Sequence, residues 1–255
     1  MTHTINKVLI IGFGSIGSKH FHCLKKINKY IDIEFLNSKN IINKSIIKTI
    51  DPDYIIIATP TYLHYKFLKL VDEQLKNKLI LVEKPIFHKN FNFKQNKKNS
   101  NEIFVGYNFR FNPLILFLKK FLKNKKIYYI NSTCFSYLPN WRKKNYLNSY
   151  SANKNKGGGV SLDLSHEIDY IVWLFGKLKI NYLRKYRCSN LKIKSEDLFV
   201  LDGKINKSNV NITLSYSSRI NQRNILIDGN QLSIKADLIN GKIYLFSNKK
   251  KKIIK

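Results

Sequence analysis

The chain has 255 residues, 44% of which are hydrophobic, and it carries a formal net charge of +30. This length and apolar content suffice for one large domain, or for two smaller domains with cores of their own. No apolar run is long enough to cross a bilayer, and residues 1–7 lack the pattern of a signal peptide, so we expect a cytoplasmic protein with no membrane partner.

The positive charge comes mainly from lysine, because only six of the 46 basic residues are arginines. Arginine is the residue that reads bases and binds phosphates with two nitrogens, and the lysines are scattered over every segment. We therefore expect a solvated lysine surface, with nucleic-acid binding by counterion release as an alternative. A positive field also steers anionic substrates such as nucleotide sugars towards a protein.

The cysteine pattern also fits a cytoplasmic protein. Cys23, Cys134 and Cys188 are odd in number, widely spaced and free of C-x-x-C pairs. They predict reduced, mostly buried thiols and no metal site.

The first predicted strand, Val8–Ile11, runs directly into Gly12-x-Gly14-x-x-Gly17 and then into a helix. Glycines at this spacing permit a tight turn, close approach to a pyrophosphate and close helix–strand packing, with the phosphates at the helix N-terminus. The motif predicts a dinucleotide site formed by Gly12, Phe13, Gly14, Ser15, Ile16 and Gly17. The predicted packing face of the helix comprises Ile16, His20, Leu24 and Ile27.

The second predicted strand, 31–36, ends at Asn37-Ser38-Lys39. Sites for NAD usually carry an acidic residue there, which binds the ribose 2′-hydroxyl. An amide, a hydroxyl and an ammonium suit a 2′-phosphate better, and Glu34 lies too early in the strand. The sequence therefore favours NADP, with NAD as the open alternative.

Strands and helices alternate up to residue 106. Further buried strands are predicted at 54–58, 79–82 and 103–106, with a helix that begins at Thr61. This alternation predicts a parallel sheet with right-handed crossovers, which binds ligands at the carboxyl ends of its strands. Glu83-Lys84-Pro85 lies at such an end, where a partly buried lysine can transfer a proton.

Beyond residue 107 the alternation stops. Helices are predicted at 114–122 and 162–175, the second ending at Gly176, together with a strand at 127–136 and further strands between 181 and 246. The predicted turns are Asp202-Gly203, Asp228-Gly229-Asn230 and Asn240-Gly241. The second half is thus predicted to be an α+β domain with a mostly antiparallel open sheet.

The predicted helix at 162–175 follows a triple glycine and has two different faces. The apolar stripe comprises Leu164, Ile168, Ile171 and Phe175, and the opposite face carries Asp163, His166, Glu167 and Tyr170. His166 is the side chain on that face that titrates near neutrality. This helix therefore presents groups suited to proton transfer.

Five motifs occur in one order along the chain. They are Gly12-x-Gly14-x-x-Gly17-x-x-His20, Ala58-Thr59-Pro60-Thr61 with His64, Glu83-Lys84-Pro85, the segment 106–113, and the segment 157–170. This order resembles the Gfo/Idh/MocA family of oxidoreductases, and the loop 137–152 resembles a branch associated with bacterial surface-polysaccharide sugars. The resemblance implies a dinucleotide-binding Rossmann domain of α/β class at 1–107, and an α+β domain for substrate binding and oligomerisation at 108–255.

The resemblance also implies roles for individual residues. Lys84 corresponds to the family's catalytic lysine, His166 to its acid/base histidine and Asp163 to the aspartate that accompanies them. Besides the glycine loop, the implied coenzyme contacts are Asn37, Ser38, Lys39, Ala58, Thr59, Pro60, His64, Glu83 and Lys84. The implied substrate contacts are Tyr107, Arg110, Trp141, Arg142 and Tyr170.

Two features depart from the family pattern. Asp163 and His166 are three residues apart rather than four, and one residue of slip rotates a helical side chain by about 100°, which leaves Glu167 as an alternative partner for His166. The chain also ends in a lysine-rich run, 248–255, where members usually continue. We expect a truncated product with an exposed sheet edge.

The function that the resemblance implies is NAD(P)-dependent hydride transfer to or from a hydroxyl or keto carbon of a sugar or nucleotide sugar. Such an enzyme would act in surface-polysaccharide or carbohydrate metabolism and form a homo-oligomer through its C-terminal sheet. The alternative from another class is a relative that binds the coenzyme without catalysis.

Overall fold

The computed structural model describes residues 5–37, 43–141, 145–247 and 250–254. These form two compact units. The first comprises the described residues of Met1–Gly106 and Asn155–Gly157, and the second those of Tyr107–Lys154 and Gly158–Lys255.

The first unit contains a parallel sheet with helices between its strands. In the described residues its strands are β1 (Lys7–Ile11), β2 (Asp32–Leu36), β3 (Tyr54–Ile57), β4 (Leu79–Val82) and β5 (Glu102–Val105), in the order β2-β1-β3-β4-β5. Its helices are α1 (Ser15–Ile27), α2 (Lys44–Ile50) and α3 (His64–Gln74). Successive residues of β1 belong to different clusters of the core, so this strand is buried on both faces, as its continuous apolar run predicts.

The packing face of α1 differs from the prediction. Ile16 is 41% exposed and Ile27 is 83% exposed, whereas Gly17 is buried and Phe21 and Leu24 pack against the core. The close approach of Gly17 to the glycine loop sets the rotation of the helix about its axis. The helix therefore presents Gly17, Phe21 and Leu24 to the sheet.

The second unit contains a larger sheet. Its described strands are β6 (Ile127–Tyr137), β7 (Leu178–Tyr186), β8 (Leu198–Ile205), β9 (Ser208–Ser215), β10 (Ser217–Gly229), β11 (Leu232–Asp237), β12 (Lys242–Ser247) and β13 (Lys250–Ile254). The strand order is β13-β12-β11-β10-β6-β9-β8-β7, and all neighbours are antiparallel except β6 and β9. The predicted fold class, a parallel α/β part followed by an α+β part with a mostly antiparallel sheet, is confirmed.

Helices α4 (Pro113–Phe121), α5 (Val160–Asp163) and α6 (His166–Phe175) contribute to the core of this unit. The continuous helix predicted at 162–175 is wrong, because the chain leaves helical geometry at Leu164, where φ is −100° and ψ is 29°. Gly176 ends α6 with a φ of 109°, as the glycine there predicts.

One predicted turn is also wrong. Asp202 and Gly203 lie inside β8, and the hairpin between β8 and β9 turns at Asn206, whose φ is 53°. Gly203 is needed for packing, since a Cβ there would lie 2.5 Å from the Lys179 carbonyl oxygen, beside a register shift in β7. The cysteines differ from expectation as well, because Cys134 is buried whereas Cys23 and Cys188 are exposed.

Within the described ranges, no helix is both long and apolar enough to cross a membrane. The same residues contain no group of three or more His, Cys, Asp or Glu side chains with the geometry to hold a metal ion.

Candidate functional site

The glycine loop after β1 is shaped by two steric contacts. Gly12 has a φ of 98°, and a Cβ there would lie 2.8 Å from the Ala58 carbonyl oxygen, at the end of β3. A Cβ on Gly17 would lie 2.1 Å from the Gly12 carbonyl oxygen. Both glycines are therefore required by the fold of the loop itself.

Gly14 differs from these two glycines, because a Cβ there would meet no protein atom within 4 Å. It is the N-cap residue of α1, and it has no side chain that could cap the free N–H groups of the helix. A thirteen-residue helix with such an N-terminus presents donors and a positive dipole end to an anion. The loop thus has the open side and the donors that a dinucleotide phosphate requires.

The other residues of this loop are open to solvent. Phe13, Ser15 and Ile16 are exposed. The ring of Phe13 lies 4.3 Å from that of Phe35 in β2, measured between centroids. Asn37 directly follows β2, whereas Ser38 and Lys39 lie outside the described residues, so the predicted ribose contacts of those two have no structural counterpart here.

The side chain of His64, a predicted coenzyme contact, lies against backbone carbonyl groups. It is buried, with its Nε2 2.9 Å from the Thr59 carbonyl oxygen and its Nδ1 3.0 Å from that of Pro85. Burial lowers the pKa of this imidazole. The ring connects the loop after β3 to the loop after β4, and the contact with Pro85 lies one residue beyond Lys84.

The end of β4 is tied to α1 by a polar contact. His20 Nε2 lies 2.7 Å from Glu83 Oε1, and both side chains are mostly buried. A Cβ on Gly106 would lie 3.2 Å from the Glu83 carboxylate, so that glycine gives the carboxylate room. The described contacts of the Glu83 side chain are therefore with protein groups. Lys84 follows Glu83 at the carboxyl end of the parallel sheet. Of the other predicted coenzyme contacts at this edge, Ala58, Thr59 and Pro60 directly follow β3.

In the second unit, a glycine segment precedes α5. A Cβ on Gly158 would lie 2.1 Å from the Tyr150 carbonyl oxygen, and one on Gly159 would lie 2.3 Å from Glu196 Oε1. Glu196 in turn accepts a hydrogen bond from the Ser161 hydroxyl at 2.6 Å. The glycines allow this close packing, which fixes the start of α5.

Asp163 is the last residue of α5 and is buried. The Tyr216 hydroxyl donates a hydrogen bond to its Oδ2 atom. Because α5 and α6 are separate, the helical-wheel relation between Asp163 and His166 does not apply.

His166 begins α6 and is partly buried between aromatic rings. Its ring centroid lies 4.8 Å from that of Phe109 and 5.7 Å from that of Tyr107. Burial of Tyr107 raises the pKa of its phenol. The aromatic contacts restrict the orientation of the imidazole.

The face of α6 predicted to carry proton-active groups is in part the buried face. Glu167 is fully buried, 2.7 Å from Arg223 Nε in β10. Tyr170 is fully buried too, and its hydroxyl lies 2.9 Å from Ser132 Oγ. Tyr170 is therefore a core residue, and its predicted substrate contact stays a prediction. Burial and the Glu167 carboxylate raise its pKa well above the ordinary value.

Arg110 is held by two hydrogen bonds. Its Nε and Nη2 lie 2.9 Å and 2.5 Å from the two carboxylate oxygens of Asp169, which raises the pKa of the guanidinium. Trp141 contacts the Tyr216 ring edge-on, at 5.2 Å between centroids. Arg142 lies outside the described residues.

Sequence reasoning missed the partners of four singled-out residues. These partners are Asp169 for Arg110, Tyr216 for Asp163, Arg223 for Glu167 and His20 for Glu83. Tyr216 lies 53 positions from Asp163, and Asp169 lies 59 positions from Arg110. No local pattern marks such pairs. The histidine that follows the glycine motif was the available signal for the contact with Glu83.

Comparisons with known proteins agree with this fold. WlbA dehydrogenase from Bordetella pertussis, in complex with NADH and UDP-GlcNAcA, has a TM-score of 0.78 at 16% identity, covering 92% of this chain and 78% of that one. UDP-N-acetylglucosamine 3-dehydrogenase GnnA from Acidithiobacillus ferrooxidans has a TM-score of 0.76 at 15% identity, and the match covers 100% of this chain and 83% of that one. Levoglucosan dehydrogenase, in complex with NADH and levoglucosan, has a TM-score of 0.80 at 17% identity, and the match covers 97% of this chain and 79% of that one.

A search of curated proteins gave no match. The sequence model of the oxidoreductase family, C-terminal alpha/beta domain, matches residues 119–252, which is more than half of the chain. The predicted resemblance is thereby confirmed. The chain belongs to the Gfo/Idh/MocA family of oxidoreductases.

Proposed function

We propose that this protein is an NAD(P)-dependent oxidoreductase that transfers hydride to or from a hydroxyl or keto carbon of a sugar or nucleotide sugar. The observation that carries the proposal is the glycine loop, whose open side at Gly14 lies at the N-terminus of α1, where the N-cap residue has no side chain. Family membership and the dehydrogenases of similar fold support the same chemistry. They do not favour the alternative of a coenzyme-binding protein without catalysis.

A nicotinamide dinucleotide fits this loop. The residues that would hold it are Gly12, Phe13, Gly14, Ser15, Ile16 and Gly17, with Asn37, Ser38 and Lys39 near the ribose and Ala58, Thr59 and Pro60 after β3. The coenzyme would supply the hydride acceptor or donor, which no side chain can provide.

We further propose NADP as the preferred coenzyme. Residues 37–39 include no carboxylate, and Glu34 forms an ion pair with Lys7 at 2.7 Å. The solved WlbA and levoglucosan dehydrogenase complexes contain NADH, so comparing kcat/KM for the two coenzymes decides this point. A Lys39→Glu variant should shift the ratio towards NAD, because a carboxylate accepts the 2′-hydroxyl and repels the 2′-phosphate.

Lys84 and His166 are the proposed proton-transfer residues, and Asp163 accompanies them. Lys84 follows a buried parallel strand, in a loop bracketed by the contacts of Glu83 with His20 and of His64 with Pro85. His166 is restrained by two aromatic rings, and Asp163 by Tyr216. Fixed geometry of this kind is what general acid–base catalysis needs.

For the substrate we propose a nucleotide sugar, contacted by Tyr107, Arg110, Trp141 and Arg142. Arg110 retains its positive charge and its side chain is 42% exposed, even though Asp169 binds two of its nitrogens. The net charge of +30 would raise the rate at which an anionic substrate arrives. The WlbA structure contains UDP-GlcNAcA, and GnnA is a UDP-N-acetylglucosamine 3-dehydrogenase, which supports a nucleotide-sugar substrate. With this substrate we propose a role in polysaccharide biosynthesis.

We also propose that residues 1–107 bind the coenzyme, that 108–255 bind substrate, and that the C-terminal sheet forms a homo-oligomer in the cytoplasm. Strands of that sheet expose large apolar side chains: Tyr128, Ile180, Tyr182, Leu183, Leu226 and Phe246. Apolar surface of this kind marks association sites in soluble proteins. Sedimentation of the purified protein tests the oligomer.

The test of function is turnover with a panel of sugars and UDP-sugars in the presence of NAD or NADP. Wild type should reduce the coenzyme with at least one member of the panel. Lys84→Met should still bind the coenzyme and should lose about 100-fold or more in kcat, because it removes the proton-transfer group. Unchanged turnover of Lys84→Met would refute the assignment. Coenzyme binding without turnover of any substrate would favour the non-catalytic alternative.

A further inference from the structure

Tyr216 is the single residue between β9 and β10, where the chain passes from one side of β6 to the other. Its N–H donates to the Asp197 carbonyl oxygen at 2.8 Å, and its carbonyl oxygen accepts from the Leu138 N–H at 2.8 Å. The strands on both sides also form ladders with β6. The backbone at this position is therefore held by the central strands of the sheet.

The side chain of Tyr216 is equally constrained. It is fully buried, its ring meets the edge of Trp141 at an interplanar angle of 88°, and its hydroxyl is hydrogen-bonded to the Ser151 side chain as well as to Asp163. Burial, together with the Asp163 carboxylate, raises the pKa of the phenol well above its ordinary value. The hydroxyl thus remains protonated and available as a donor at neutral pH.

Asp163 lacks comparable support from its own helix. It ends α5, which has only four residues, and the chain leaves helical geometry immediately after it. One helical turn is too short to hold itself in water. The carboxylate oxygen Oδ2 is instead fixed by the hydroxyl of Tyr216.

We propose that Tyr216 is a positioning residue for Asp163. Its hydroxyl anchors one carboxylate oxygen of Asp163 to the centre of the sheet through a hydrogen bond. The charge of an ionised Tyr150 would also raise the pKa of the Tyr216 phenol. The proposal rests on the proposed function in one respect, namely that Asp163 belongs to the proton-transfer set.

The test is Tyr216→Phe, which removes one oxygen and keeps the ring against Trp141. We expect kcat to fall about 100-fold, because a misplaced carboxylate disorganises the reacting groups, while coenzyme affinity stays unchanged. The loss should appear in kcat, with little change in KM, because the Tyr216 hydroxyl acts on the proton-transfer set through Asp163. Asp163→Asn combined with Tyr216→Phe should be no slower than Asp163→Asn alone, because both changes remove the same function.

Ser132→Ala is the matched control, since it also removes one buried hydroxyl, the partner of Tyr170, from the same unit. It should leave kcat close to the wild-type value even if stability falls. A purely structural role for Tyr216 predicts the same behaviour for both variants, and that result would overturn the proposal. Additive losses in the double variant would overturn it too.

A readout without turnover separates this proposal from the proposed function. In carbon NMR at one pH, the Asp163 carboxyl signal, assigned by its loss in Asp163→Asn, should change its chemical shift in Tyr216→Phe, because the carboxylate loses a hydrogen-bond donor. The signal should keep its position in Ser132→Ala. An unchanged signal in Tyr216→Phe would overturn the positioning role. If Asp163→Asn and wild type turn over equally, the proposed function fails at Asp163, and the NMR signal still decides whether Tyr216 holds the carboxylate.

Discussion

The ion pair between Glu167 and Arg223 offers a quantitative test of how α6 is attached to the sheet. Glu167 is fully buried, Arg223 is 21% exposed, and the carboxylate lies 2.7 Å from the guanidinium Nε. Arg223 also lies over the ring of Phe109, 4.6 Å from its centroid, and Phe109 packs against His166. Arg223→Met would leave a buried carboxylate without its cation.

Removing one partner of a buried pair costs about 3–5 kcal/mol, mostly because the remaining charge is uncompensated. Since Arg223 keeps some contact with water, we expect Arg223→Met to lower the free energy of unfolding by about 3 kcal/mol. Replacing both partners, in Glu167→Leu with Arg223→Met, removes the stranded charge. This double variant should lie within about 1 kcal/mol of wild type, since apolar replacements of a buried pair are often neutral or stabilising.

Urea unfolding followed by tryptophan fluorescence measures these differences, because both tryptophans, Trp141 and Trp173, lie in the second unit. Lys185→Met is the control in the same unit. Its partner Glu196 is 4.0 Å away and Lys185 is half exposed, so this change should cost less than about 1 kcal/mol. A loss below about 1 kcal/mol for Arg223→Met, or a double variant as unstable as the single one, would refute the reasoning.

Two further predictions concern the first unit, where circular dichroism follows unfolding. Gly17→Ala should lower the free energy of unfolding by about 1–3 kcal/mol, because its Cβ would lie 2.1 Å from a backbone oxygen, whereas Gly14→Ala should fold like wild type and bind the coenzyme weakly. Equal stability of the two variants would contradict this. The pKa of His64 is lowered from 6.5 by burial, so the unfolded state takes up the proton first and stability should fall as pH drops below about 6.5. His64→Gln should flatten that slope, and an unchanged slope would show that another group causes it.

The parallel sheet and its glycine loop were predictable because their signals are local. The run Val8–Ile11 and the spacing Gly12-x-Gly14-x-x-Gly17 specify a buried strand, a tight turn and a helix start within ten residues. The parallel sheet and the fold class follow from alternation and handedness. The position of Glu83 and Lys84 at this carboxyl edge follows for the same reason.

The predicted helix at 162–175 shows what hydrophobic periodicity does not predict, namely a break within a helical pattern. Neither Leu164 nor Ser165 is a helix breaker, so the break after Asp163 has no local signal. A helical wheel drawn over a continuous helix then placed Glu167 and Tyr170 on the polar face. Their burial depends on Arg223 and Ser132, which reach them from distant strands, and only the tertiary structure brings those groups together.

Transfer of deuterium tests the central claim most directly. A UDP-sugar deuterated at each hydroxyl-bearing ring carbon in turn would be incubated with the protein and an oxidised nicotinamide coenzyme, and the coenzyme analysed by mass spectrometry. The account predicts that label from one carbon appears in the reduced coenzyme with wild type, and that this transfer is lost in Lys84→Met. Tight coenzyme binding at the glycine loop with no label transferred from any position would contradict it.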